Sequence, residues 1–62
     1  MYVLQEKNGW HFVKALKPLV TTFNPSEAME INTREAADRT LYLYGLEVDY
    51  DIVEIVQAQK RF

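Results

Sequence analysis

The chain opens on an apolar run, Tyr2-Val3-Leu4-Gln5, whose aromatic and β-branched side chains suit a strand. Glu6-Lys7-Asn8-Gly9 follows. Asn-Gly between two apolar runs predicts a tight hairpin, because both residues tolerate positive φ and a type I′ turn matches the strand twist. Trp10-His11-Phe12-Val13-Lys14-Ala15-Leu16 then reads as the return strand. Trp10, Phe12 and Leu16 share one face of it, and His11, Val13 and Ala15 the other, so both faces are expected to be at least partly covered. Trp10 and Phe12 are assigned to the core. Pro18 interrupts the ladder. Leu19-Val20-Thr21-Thr22-Phe23 reads as a short third strand.

The period then changes. Asn24, Pro25 and Glu27 stand where an N-cap, a first helical residue and a capping-box carboxylate belong. A second start signal comes so soon after that only a single turn or 3-10 piece fits, with Met29 and Ile31 directed inward. Asn32 or Thr33 caps the one real helix, near Thr33–Tyr44, with capping-box spacing from Asn32 to Glu35. Its apolar stripe is Ala36, Ala37, Thr40, Leu41 and Tyr44. Arg34 with Asp38, and Glu35 with Arg39, are i,i+4 pairs on the outer face, worth only ~0.2–0.5 kcal/mol each. Gly45 is the expected left-handed stop, with Leu46 closing over it.

Glu47 to Gln57 is the clearest strand pattern in the chain. Charged and apolar residues alternate in its first half, and the second half is apolar on both faces, as in a strand near a sheet's centre. Residues 58–62 are expected to fray. The result is a single α+β domain over residues 1–62: a small antiparallel sheet of three to four strands, in the order β-β-β-turn-α-β, with one helix packed on one face. The last strand is expected beside the first.

Composition sharpens this picture. A 62-residue chain buries only about 60% of the surface it exposes unfolded. Such domains usually need a staple. There is no Cys, and the one His leaves no structural zinc set. The chain is 48% hydrophobic with eight aromatics, too apolar for disorder. Packing and self-association remain as sources of stability, which raises the expectation of a homodimer or a partner-binding surface. Seven basic and nine acidic residues leave a net charge of −2, so no long-range attraction draws the chain to nucleic acid or an anionic membrane. The amino terminus reads as no signal peptide, and no apolar run approaches the ~20 residues of a membrane span. A cytoplasmic setting is the expectation.

Candidate chemistry is sparse. No Ser or Thr sits in a nucleophile motif, and the lone His11 finds no second acid–base group at a telling spacing. The chain is therefore read as non-enzymatic, without cofactor, metal or small-molecule substrate. Glu47, Asp49 and Asp51 are spaced to line one strand face. Strand-spaced carboxylates lie ~6–7 Å apart, too spread for a closed cation cage. Such a row suits a solvated face, a guard against stray strand pairing, or an imitation of a phosphate run. Trp10, His11, Phe12, Lys14 and Lys17 put aromatics and cations on one strand, as single-strand-binding sheets do, although the chain lacks a basic stripe. Tyr42 falls outside the helix stripe, and Tyr2, Tyr50 and Phe62 lie at strand or chain ends. Tyr and Trp are enriched in interface hot spots. The candidate interaction surface thus comprises Trp10, His11, Phe12 and Lys14, then Tyr42, then Glu47, Asp49, Tyr50 and Asp51. Its expected partner is a second copy or another protein, with nucleic acid as the alternative.

The stretch from Asn24 to Ala37, closed by Tyr44-Gly45-Leu46 and by Tyr50-Asp51-Ile52-Val53-Glu54-Ile55, is similar to short proteins of unknown function from bacteriophages, prophages and other bacterial mobile elements. There a hairpin leads into a Ser-Glu-Ala … Thr-x-Glu-Ala helix and an Ile-Val-Glu-Ile strand. The resemblance covers about two thirds of the chain. It is carried by caps, an Ala stripe and a core strand, so no functional residue carries over. It implies a bacterial or phage-infected cytoplasm and an accessory protein that binds a host or phage macromolecule.

Overall fold

The computed structural model describes residues 1–55. Four strands, β1 (Tyr2–Glu6), β2 (Phe12–Ala15), β3 (Val20–Thr22) and β4 (Tyr50–Glu54), form one antiparallel sheet in the order β3-β2-β1-β4. A 3-10 turn (Pro25–Glu27) and one helix, α1 (Arg34–Leu43), lie between β3 and β4. The fold class and the pairing of the last strand with the first are as the sequence predicts.

Alternation along β1 sorts the sheet into two faces. Leu4, fully buried, joins Val13 on β2, Tyr50 on β4, Ala37 and Leu41 on α1, and Leu46 in one core. The two Ala and Thr positions of the stripe let α1 lie close to β1 and β4, and Thr40 turns its hydroxyl back to donate to the Ala36 carbonyl at 2.8 Å. Met29 and Ile31 pack against this core as expected. Their backbone does more: Met29 N–H donates to the Val13 carbonyl, and Ile31 exchanges both backbone bonds with Tyr2. The 29–31 segment is thereby held to both β1 and β2.

The helix ends where the sequence says. Thr33 Oγ1 accepts from the Ala36 N–H, so Thr33 rather than Asn32 is the N-cap. Gly45 adopts φ +66°, Gly45 N–H donates to the Tyr42 carbonyl, and Leu46 N–H donates to the Leu41 carbonyl at 2.8 Å. These two bonds are the Schellman pattern, and Leu46 closes it by burying its side chain.

Several expectations are corrected. The Asn8-Gly9 turn is not type I′, since neither residue has positive φ. β1 runs on to Glu6, whose N–H donates to the His11 carbonyl, so the loop is wider and needs no left-handed residue. A Cβ at Gly9 would meet only the end of the Glu6 side chain, which is flexible enough to move aside. The return strand begins only at Phe12, which leaves Trp10 in the loop and 75% exposed rather than in the core. Leu16 packs toward the core and not with Phe12, because a register shift between Val13 and Ala15 breaks the alternation.

The last strand begins at Tyr50, not Glu47. The Leu46 carbonyl accepts from both Asp49 and Tyr50, which curls residues 46–49 into a turn. Among the described residues β4 is also an edge strand, not a central one. Its second apolar side has a local cause: Val53 faces Val3 across the sheet, and Val3 is 1% exposed on the side away from α1. Tyr44, expected in the stripe, is the helix C-cap and is exposed, and the helical pairs Arg34 with Asp38 and Glu35 with Arg39 are absent from the ion pairs among the described residues. The Asn24 box is likewise open. Asn24 Oδ1 accepts from the Ser26 N–H, while the Glu27 carboxylate turns to Thr22 Oγ1 at 3.1 Å and Lys14 Nζ at 3.7 Å. Gln57, residues 58–62 and Phe62 lie outside the described residues.

Candidate interaction surface

The nine candidate residues do not form one surface. Phe12 and Lys14 alternate with the core residue Val13, which places them on the helix-free face. Val3, Gln5, Asp51 and Val53 share that face through the β1–β4 register. Trp10 reaches its end from the hairpin loop, where it lines an open hollow of about 430 Å³ with Gln5, Lys7 and Asp51. Lys7 Nζ lies 3.9 Å from Asp51 Oδ1, so the two cations nearest this face, Lys7 and Lys14, each sit beside a carboxylate. Such exposed pairs add little stability. They do offset the positive charge that a nucleic-acid strand would require.

The carboxylate row is not formed. Glu47 and Asp49 belong to the turn before β4, and only Asp51 stands on the strand. Tyr50 is the other correction: it is 7% exposed and belongs to the core, so it is no surface aromatic. Tyr42 is exposed on the far side of α1, as the stripe predicts.

His11, alternating with Phe12, faces the helix side of the sheet. Its Nδ1 lies 3.0 Å from Glu6 Oε1, and since a carboxylate only accepts, Nδ1–H is the donor. The His11 ring packs on Phe23, centroid to centroid 4.0 Å, tilted by 35°. Glu6 in turn lies opposite Tyr50 in the β1–β4 register. A row Phe23, His11, Glu6, Tyr50 therefore crosses the sheet and closes the loop end of the core. Burial, then the charges of Glu6 and Asp49, push the Tyr50 phenol above its ordinary pKa. Glu6 and Phe23 escaped the sequence reading. The only hint was Phe23 at the end of a predicted strand, because the contact depends on how β2 and β3 are offset.

A second hollow, also about 430 Å³, runs between α1 and the free edge of β4. Arg34, Asp38 and Glu47 line it together with Tyr50 and Ile52. Among the described residues no group of three or more His, Cys, Asp or Glu side chains is placed to hold a metal ion, and no helix is long and apolar enough to cross a membrane. No protein-family model, curated protein or solved structure matches this chain.

Proposed function

We propose that this chain is a non-enzymatic protein-interaction module, a small bacterial or phage accessory protein that works as a homodimer or by docking on a larger protein. One observation carries the reading. Among the described residues, eight large apolar side chains are exposed, Trp10, Phe23, Tyr42, Leu43 and Val48 most of all. Only six residues larger than Ala are buried in the core. Single exposed apolar residues are ordinary. That the exposed ones outnumber the buried ones in so short a chain is what supports a partner-binding surface. The bacterial or phage setting draws on the likeness of residues 24–37, 44–46 and 50–55 alone.

The nucleic-acid alternative draws less support. Trp10 leaves the strand that was to carry Phe12 and Lys14, Lys14 sits beside Glu27, and the carboxylates that were to imitate phosphates are split between a turn and a strand.

Sedimentation velocity over a wide concentration range, on the wild type and on Trp10→Ser with Tyr42→Ser, tests the module reading. Self-association, or binding of a co-purified protein, that weakens at least ~10-fold in the variant is expected, as for loss of a hot-spot aromatic. A strict monomer with no partner sensitive to either substitution would refute it.

A further inference from the structure

Among the described residues, β4 pairs on one side only. Lys7 N–H donates to the Asp49 carbonyl and Ile55 N–H to the Met1 carbonyl, so the odd-numbered residues of this stretch bond to β1. Antiparallel ladders alternate. The N–H and C=O groups of Ile52 and Glu54 therefore point outward, and no strand lies beyond them among the described residues. The register with β1 is regular over all five pairs, Tyr2 with Glu54 through Glu6 with Tyr50. The strand has no Pro, no Lys and no bulge to spoil a further pairing. β3, the opposite edge, is only three residues long and sits beside the register shift.

The charges beside this edge select the occupant. Asp38 and Glu47 line the hollow that flanks it on the helix side, and Asp51 and Glu54 stand on the strand itself, four carboxylates against two cations, Arg34 in the hollow and Lys7 beside Asp51. A second copy would bring the same carboxylates to the seam, and like charges across paired strands are destabilising. An extended segment carrying Lys or Arg at alternate positions meets the opposite condition. Its backbone completes the ladder, and every second side chain falls over the hollow toward Asp38 and Glu47. We propose that the free edge of β4 binds a basic extended peptide segment of a partner protein as a fifth, antiparallel strand, using the Ile52 and Glu54 backbone for affinity and Asp38 and Glu47 for selection. This rests on the module reading and names the partner's chemistry.

The test uses the full chain and synthetic peptides of about eight residues, the length of an ordinary strand: alternating lysine and valine, alternating glutamate and valine, and the lysine peptide N-methylated on its edge-facing amides. The lysine peptide should bind at least ~10-fold more tightly than the glutamate peptide, as charge complementarity across a seam requires. It should slow hydrogen exchange at the Ile52 and Glu54 amides, lose affinity with added salt, and fail once methylated. Asp38→Lys with Glu47→Lys should weaken it by a similar factor while Tm stays within a few degrees. Equal binding of the two charged peptides, undiminished binding of the methylated one, or exchange protection centred on Trp10 or Tyr42 would each overturn the edge assignment. Self-association or partner binding that depends on Trp10 and Tyr42 but ignores the lysine peptide sinks this inference and leaves the module reading standing.

Discussion

Gly45 offers a clean separation of backbone strain from packing. Its φ is +66°, in the left-handed region, yet a Cβ built on it meets no atom within 4 Å. Replacing it by L-alanine therefore costs backbone energy alone. The left-handed conformation costs an L-residue roughly 1–2 kcal/mol, and the lost freedom of the unfolded glycine returns about 0.4–1 kcal/mol. The net is a destabilisation of about 1 kcal/mol. A chain of this length is stable by only roughly 3–9 kcal/mol, so Gly45→Ala should still fold, with Tm lowered by about 4–8 °C. D-alanine at the same position reverses the sign. Its backbone prefers positive φ, so the strain is absent and the entropy gain remains, and stability should rise by about 0.4–1 kcal/mol. A chain of 62 residues is within reach of chemical synthesis, and urea unfolding of the three versions measures both differences. If L- and D-alanine shift the midpoint in the same direction, the Schellman stop at Gly45 does not govern the helix end and the reasoning fails.

Leu4 is fully buried on a central strand and Trp10 is 75% exposed in a loop, so Leu4→Ala should cost about 2–5 kcal/mol and leave the chain near its unfolding midpoint. Trp10→Ser should stay within about 0.5 kcal/mol by the same denaturation assay, and acrylamide should quench the Trp10 fluorescence of the wild type almost as it does free tryptophan. The raised pKa of Tyr50 sets an alkaline limit: its unfolded phenol titrates near 10, and the folded one higher. The stability this supplies is complete below about pH 10 and is lost as pH rises through the folded value. Tyr50→Phe should therefore flatten the alkaline end of the stability curve, and an unchanged slope would refute the assignment of the titration to Tyr50.

The structure sets the helix boundaries of the sequence reading to within a residue, because the signals are local. Thr33 and Gly45 act on backbone groups three to five positions away, and the Ala37 and Leu41 spacing needs only the helix itself. Strand composition was legible for the same reason in Tyr2–Gln5 and in Ile52 and Val53. Strand ends were not. Trp10 looked like core by chemistry, but whether the hairpin closes at Asn8-Gly9 or a residue further out depends on where the Glu6 carboxylate settles against Gly9 and His11.

The carboxylates teach the same lesson from the other side. Alternation placed Glu47, Asp49 and Asp51 on one face, and the Leu46 carbonyl, by accepting two N–H groups, turned the first two off the strand. The sequence by itself determined that there would be one helix with two firm ends, a small antiparallel sheet, and more apolar side chains than so short a chain can bury. Tertiary structure decided that β4 lies at the edge among the described residues, that Tyr50 goes inside, and that Val3 and Val53 meet on the helix-free face. Strand order depends on which distant segments find one another. No spacing within a single strand records whether its outer backbone groups will meet a neighbour or remain open.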